Sequence, residues 1–298
     1  MISVIVITYN RSELLCRTLK SILNQQYTDL EVIVVDDGSD DDTLSITESF
    51  KDDRIKYFNF GRIGNLSRLR NLGIKNSNSE FIAFSDDDDL WKPDRLKAQL
   101  KYAGKYDFIC SNADVIDIND RIIKEKYFDD INESFEVNKE FLLSRGNCIL
   151  TSSCLIKREI FTVNDCFFDE KVFTNFCEDY ELFIRISNFC KMYFLEKNLI
   201  QKRSHESVSG GLENILKMLD MSSRILSVYT NNQDTKTESL AVEGILGFKI
   251  LRVRYSFKKS FVCGLKETAG FIMYLTGFRK MKIFLGVKVK NKIKKFLS

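Results

Sequence analysis

The sequence predicts an α/β protein built on a largely parallel sheet with helices on both faces. Three observations carry that prediction. Short apolar runs such as Ser3–Tyr9 (SVIVITY) and Leu30–Val35 (LEVIVV) are continuous rather than alternating, as in strands buried on both faces. Each is followed by a polar turn and then by apolar residues at helical spacing. The strand–helix alternation repeats through the first hundred residues, which is the rhythm of βαβ units with right-handed crossovers.

The elements follow in order. Ser3–Tyr9 stops at Asn10-Arg11-Ser12, and Ser12 is expected to cap a helix carrying Leu15, Leu19, Ile22 and Leu23 on one side. Leu30–Val35 ends in Asp36-Asp37-Gly38-Ser39, with a second helix from Asp42-Thr43. Ile55–Phe58 reads as a third strand. Gly61 and Gly64 precede a helix over about 66–75. Phe81-Ile82-Ala83-Phe84 is a buried strand ending in Asp86-Asp87-Asp88-Asp89, after which Leu90–Leu96 is expected to open a helix with Pro93, the chain's single proline, in its first turn. Beyond Tyr106 the pattern turns antiparallel, with strands Phe108–Cys110 and Arg121–Ile123 around an Asn119-Asp120 turn. Phe141–Leu143 belongs to a helix and Cys148–Ile156 to a strand-like run. Glu178-Asp179 opens an amphipathic helix, and Lys191–Leu195 and Leu199-Ile200 are two short strands. After Gly210-Gly211 the chain reads as helices.

Open sheets of this kind bind ligands at the carboxyl ends of their strands. Three such ends are polar here: Thr8-Tyr9-Asn10, Asp36–Ser39 and Asp86–Asp89. Four adjacent carboxylates repel one another and resist ionising unless a cation lies among them. Oxygen-rich clusters suit Mg²⁺ or Mn²⁺. The alternative for this stretch alone is a solvated acidic turn with Asp89 or Asp94 capping the next helix; convergence of the three polar ends on one crevice weighs against it.

The composition is that of a globular protein, 44% hydrophobic and 29% charged over 298 residues. Eight cysteines form no CxxC pair and lie mostly in apolar runs, so buried thiols are expected and zinc is not. No apolar run reaches the ~20 residues of a spanning helix, and Met1-Ile2-Ser3-Val4 enters a strand without a basic leader, so a cytoplasmic location is expected. The formal charge of +3 divides unevenly: residues 249–298 carry fourteen Lys/Arg against Glu267 alone, a net of +13 that leaves −10 for residues 1–248. The tail is expected to meet something anionic. It reads either as a basic amphipathic segment on the inner face of an anionic membrane or as a helical cover with a solvated basic face. No nucleic-acid-binding motif accompanies it.

Four stretches together resemble the family 2 glycosyltransferases, the inverting group with the GT-A fold: VIVITYNR at 4–11, VVDDGSDDDT at 34–43, FIAFSDDDDLWKPDRL at 81–96, and FDE at 168–170 followed by Glu178-Asp179. The resemblance runs from about residue 2 to 210. It implies a Rossmann-like GT-A mixed sheet flanked by helices, divided into a nucleotide-sugar half at 1–105 and an acceptor half at 106–210, with a helical basic extension at 211–298. It implies that Thr8, Tyr9, Asp36 and Asp37 line the base pocket and that Arg70 holds base or diphosphate. Asp86 and Asp88 match the first and third positions of a DxD metal motif, with Asp87 beside them. Asp179 matches the general base with Glu178 as fallback, and His205 in RSHESVS resembles a late histidine that reaches metal or diphosphate.

The expected reaction is metal-dependent transfer, with Mn²⁺ or Mg²⁺, from a nucleotide-sugar donor, a UDP-sugar, to a hydroxyl of a glycan or lipid-linked saccharide in bacterial surface polysaccharide synthesis. The types fit the chemistry: a leaving diphosphate needs cationic neutralisation, and an attacking hydroxyl must lose its proton to a carboxylate. Three competitors are weaker. A sugar-nucleotide pyrophosphorylase requires a glycine-rich loop after the first strand, which Thr8–Arg11 lacks. A silent glycan-binding or scaffold protein of this fold would have a broken motif or a missing base. A dehalogenase-type phosphatase requires its nucleophilic aspartate after the first strand.

Overall fold

The computed structural model describes residues 1–172, 174–204, 212–228, 241 and 244–245. In chain order the elements are β1 (Ile2–Thr8), α1 (Ser12–Leu23), β2 (Leu30–Asp36), α2 (Thr43–Ser49), β3 (Ile55–Asn59), α3 (Leu66–Lys75), β4 (Phe81–Asp86), β5 (Leu90–Trp91), α4 (Arg95–Leu100), β6 (Phe108–Ile116), β7 (Ile122–Lys124) and β8 (Phe135–Val137). They continue with α5 (Lys139–Arg145), a 3₁₀ turn (Thr151–Ser153), β9 (Leu155–Lys157), α6 (Glu159–Thr162), α7 (Glu178–Ile186), β10 (Met192–Arg203) and α8 (Leu212–Val228).

Ten described strands form one mixed sheet in the order β3-β2-β1-β4-β9-β6-β10-β5, with β7 added to β6 and β8 to β10. The β3-β2-β1-β4 block is parallel throughout. Its register sets Thr8 opposite Asp36 and Ile7 opposite Asp86, so three polar strand ends lie side by side. β9 then runs antiparallel between β4 and β6. Every residue of β1 and β2 is buried, because helices cover both faces. On one face Val4, Val6, Val32 and Val34 meet Leu15, Leu19 and Ile22 of α1 with Trp91 and Leu96. On the other, α3 approaches so closely that a Cβ on Gly73 would lie 2.4 Å from Ile5 Cγ2. Phe84 of β4 is met edge-on by Phe161 and Phe168.

Four local expectations are corrected. Leu90-Trp91 is a strand antiparallel to β10, with Ile200 opposite Trp91, and the helix starts only at Arg95, so Pro93 precedes it. The partner lies more than a hundred residues away and leaves no trace in local periodicity. Cys148–Ile156 is broken by the 3₁₀ turn, where Ser153 N–H bonds Leu150 O and the Ser153 hydroxyl reinforces it. The two short strands after Lys191 are one strand, β10, irregular between Leu195 and Ile200. Ser12 makes no side-chain cap on α1; its own N–H donates to Asp41 Oδ2 at 3.0 Å.

Residues Met1–Leu142 and Asn147–His205 form one unit; a second comprises Leu143–Gly146 with the chain from Glu206. In the second, α8 buries Leu219, Ser222, Ile225 and Leu226 along one side. No described helix is long and apolar enough to cross a membrane.

Candidate active site

The parallel block delivers its loops to one edge, and those loops are stitched together. Asn10 N–H donates to Ser39 Oγ (2.9 Å) and its amide exchanges hydrogen bonds with Asp40. Asp36, fully buried, accepts from Ser39 N (3.0 Å), Ser39 Oγ (2.6 Å), Asn59 Nδ2 (3.3 Å) and the Tyr57 hydroxyl. Burial first and Asp36 second raise the Tyr57 hydroxyl far above its ordinary range, so it stays a donor. Asp36 therefore holds the turn. Asp37 faces the loop after β3, accepting from Ile63 N (2.6 Å), Gly64 N (3.0 Å) and Arg62. The Arg62 guanidinium lies 3.7 Å over the half-exposed Tyr9 ring. Gly38 permits this approach: it has φ of +79°, and a Cβ there would lie 2.6 Å from Arg62 N.

The acidic cluster follows β4. Asp87 accepts from Thr8 Oγ1 (2.9 Å) and Arg11 Nη1 (3.1 Å), and the same Arg11 nitrogen reaches Asp88 Oδ2 at 2.8 Å. Lys202 Nζ, from the end of β10, lies 3.1 Å from Asp86 Oδ2 and 3.3 Å from Asp89 Oδ2. Asp89 also accepts from Arg203 N (3.0 Å). Asp86, Asp88 and Asp89 each bring a carboxylate oxygen within 4.8 Å of one another.

Burial acts against charge at Asp86, Asp87 and Asp89. It and the neighbouring Asp88 push the Asp87 carboxyl up to about 7 despite Arg11. Burial pushes Asp89 up to about 6 although Lys202 opposes it. Asp86 is the exception. Burial would raise it, but Lys202 and Arg70 together hold it below the usual range.

Arg70 joins this cluster to the start of α7. The buried guanidinium pairs through Nη1 with Glu178 and lies 3.6 Å from Asp86 Oδ1 through Nη2. Glu178 is raised, by burial first, with the Arg70 charge opposing. The neighbouring Asp179 is half-buried and accepts through Oδ2 from Thr151 Oγ1 (2.9 Å) and Asn147 Nδ2 (3.3 Å), and through Oδ1 from Tyr180 N (2.7 Å). Cys177, before them, adopts a left-handed φ of 58°, a conformation uncommon outside glycine that turns the chain into the helix.

Thr8, Asp86, Asp87 and Asp88 are thus brought together directly, and Arg70 links them to Glu178 and Asp179. Tyr9, Asp36 and Asp37 form a neighbouring group around the Gly38 turn. His205 lies outside the described residues. Sequence reading passed over Arg11, Arg62, Asn147, Thr151 and Lys202, and left Asp89 unassigned. Arg11 and Asp89 stood inside quoted motifs, whereas nothing local marked Lys202 or Thr151.

A mixed sheet with this strand order, carrying carboxylates at its parallel strand ends, defines a protein of the GT-A architecture. The solved structure of S. aureus TarS 1–349 in complex with UDP-GlcNAc superposes with a TM-score of 0.67 at 20% identity, covering 91% of this chain and 80% of that one. The chain belongs to glycosyl transferase family 2, whose family model matches residues 3–163. An uncharacterised glycosyltransferase of Rickettsia conorii is 40% identical over 132 residues, 44% of this chain and 21% of the relative. The GalNAc(5)-diNAcBac-PP-undecaprenol β-1,3-glucosyltransferase of Campylobacter jejuni is 37% identical over 153 residues, 48% of each chain. The chain thus spans 21% and 48% of the length of these curated relatives.

Proposed function

We propose that the protein transfers a hexose from a UDP-sugar to a hydroxyl of a lipid-linked saccharide, inverting the anomeric centre, in the assembly of a bacterial surface glycan. The observation that carries the reading is the joining of two acidic groups by one buried arginine. Asp86–Asp89 lie at the strand ends and Asp179 lies at the start of α7, with Arg70 spanning between Asp86 and Glu178. Transfer needs two such groups, one near the leaving diphosphate and one near the incoming hydroxyl. The donor and acceptor classes are supported by the UDP-GlcNAc in the TarS complex and by the undecaprenol-diphosphate saccharide in the name of the Campylobacter relative.

Thr8, Tyr9 and Asp37 border the base pocket, with Asp36 fixing the turn that presents Asp37. Asp179 takes the proton from the acceptor hydroxyl, its carboxylate oriented by Thr151 and Asn147. Glu178 is committed to Arg70 and serves by fixing that guanidinium, which supplies positive charge beside the diphosphate. The donor set fits a divalent cation: Asp86, Asp88 and Asp89 offer three converging hard oxygens. Among the described residues, Asp86–Asp89 and Glu178 pair with the side chains of Arg11, Arg70 and Lys202. Mn²⁺ or Mg²⁺ held there would neutralise negative charge on the departing nucleoside diphosphate; His205 is the further ligand the sequence offers. The basic segment at 249–298 would keep the protein peripheral at an anionic membrane carrying the acceptor.

The test is calorimetric titration of UDP with and without Mn²⁺ into the wild type and Asp88→Ala. Metal-dependent binding that is lost in the variant is the expected result. No heat with UDP, GDP or dTDP under either condition would overturn the reading in favour of a protein without donor chemistry.

A further inference from the structure

Two of the three carboxylates that would hold a divalent ion already share a resident cation. Lys202 Nζ lies 3.1 Å from Asp86 Oδ2 and 3.3 Å from Asp89 Oδ2. It is therefore lodged among oxygens that lie within 4.8 Å of one another and of Asp88. An ammonium at contact distance from Asp86 Oδ2 and Asp89 Oδ2 competes by charge and by space with a divalent ion held by the same two carboxylates. Lys202 stands one residue before the end of β10, its side chain is 23% exposed, and the Asp86 it pairs with is 36% exposed, so the pair borders solvent. The other cations at the cluster have different partners: Arg11 is shared between Asp87 and Asp88, Arg70 is buried against Glu178, and the Arg203 guanidinium is spent on Asp88 O, Asp117 O and Asp120, which leaves Lys202 as the cation that bridges two of the three candidate metal ligands.

We propose that Lys202 is a displaceable counterion that sets the order of binding. This rests on the metal-dependent reading above. Without nucleotide, Lys202 holds Asp86 and Asp89 in position and keeps the affinity for a free divalent ion low. When a nucleoside diphosphate brings its own negative charge, Lys202 moves from the carboxylates to the phosphate oxygens, because an ammonium offers three rotatable donors on a flexible stem. The vacated oxygens then serve the ion. The ion and the diphosphate thus bind as a pair, and each raises the affinity for the other by the same factor. Lys202 is a positioning residue in this account, and it contributes substrate-dependent closure of the metal site.

The experiment uses the full chain and follows free Mn²⁺ by electron paramagnetic resonance, with and without saturating UDP. The variants are Lys202→Met, which keeps the aliphatic stem, Lys202→Gln as a polar replacement, and Lys20→Met as a control that removes the same charge from an exposed position of α1. Circular dichroism melts confirm folding. Removing one positive charge at contact distance from a divalent ion is expected to tighten Mn²⁺ binding in the absence of UDP by about tenfold or more. The gain in Mn²⁺ affinity on adding UDP should shrink in both Lys202 variants and stay at the wild-type level in Lys20→Met. Equal Mn²⁺ affinity of wild type and both Lys202 variants without UDP, with tight binding in its presence, would overturn the role of Lys202 and leave the metal-dependent reading standing. Absence of Mn²⁺ binding by wild type and variants even with UDP would overturn both.

Discussion

At the scale of single residues, neighbouring carboxylates are given different tasks by their surroundings. Asp179 is half-buried, and two side-chain donors, Thr151 and Asn147, meet one oxygen. Replacement by Asn keeps the shape and the contact with the Thr151 hydroxyl while removing the basic lone pair. Asp179→Asn is expected to lower kcat by a factor on the order of 10²–10⁴ while leaving the UDP dissociation constant nearly unchanged; a kinetic assay paired with calorimetry would read the two separately. Asp87 presents the opposite case. Its carboxyl is pushed up to about 7 by burial and by Asp88, against the pull of Arg11 and Thr8. The folded protein therefore holds a proton on Asp87 across the range from about pH 4 to about pH 7, where the unfolded chain has released it. Stability from this group is present at the acid end of that window and is lost as pH rises through it. Asp87→Asn removes the dependence. Its melting temperature relative to wild type should climb between about pH 5 and about pH 8 in the presence of a chelator, and a constant difference would place the proton elsewhere.

At the scale of elements, α3 is the brace between the strand ends and α7. Asn71 Nδ2 donates to Phe168 O (2.9 Å) and Glu170 Oε1 (2.8 Å), Phe168 N returns a bond to Asn71 Oδ1 (3.0 Å), and Asn175 Oδ1 accepts from Leu66 N (2.9 Å). Arg70, on the same helix, completes the brace through Glu178. Arg70→Met would leave Glu178 buried without its partner, at a cost of roughly 3–5 kcal/mol, and the double variant Arg70→Met/Glu178→Gln should recover much of that loss. Chemical denaturation of the three proteins measures both quantities. A second consequence concerns the Gly38 turn. Gly38→Ala places a methyl against the backbone at Arg62 and Gly61 and forces a left-handed φ on a residue with a Cβ, so UDP affinity should fall more than global stability does. The elements differed in how legible they were. β1, β2 and β4 are buried on both faces and so read as unbroken apolar runs, and the turns after them are marked by aspartate, glycine and serine. β5, β8 and β9 are two or three residues long, and their pairing with distant strands determines them. The same reason hid Lys202 and Thr151. Lys202 enters the site because β10 pairs with β5, just after the acidic cluster, and Thr151 because the 3₁₀ turn packs against the end of β4; no short-range pattern encodes either adjacency.

At the scale of the whole molecule the dominant fact is the separation of charge. Residues 1–248 carry a net of −10 and residues 249–298 a net of +13. On the proposed reading an acidic body is repelled by an anionic bilayer and the attraction comes from the tail, where each lysine or arginine near the surface contributes about 1 kcal/mol and the effect decays within a Debye length of about 10 Å at 0.1 M salt. The full chain should therefore sediment with vesicles containing anionic phospholipid and stay in solution with zwitterionic ones. Raising the salt several-fold should release it if charge dominates, whereas retention at high salt would assign the adhesion to the apolar residues interspersed with the lysines. Reversing Lys292, Lys294 and Lys295 to Glu changes the tail by six charges without touching the acidic cluster or α7. That variant should lose vesicle binding and keep its affinity for UDP and Mn²⁺. Because a lipid-linked acceptor is confined to the bilayer, its transfer rate should fall on vesicle-borne acceptor and hold on a water-soluble analogue. A fall of equal size on both acceptors would show that the tail acts on the catalytic unit itself and would remove the membrane from the account.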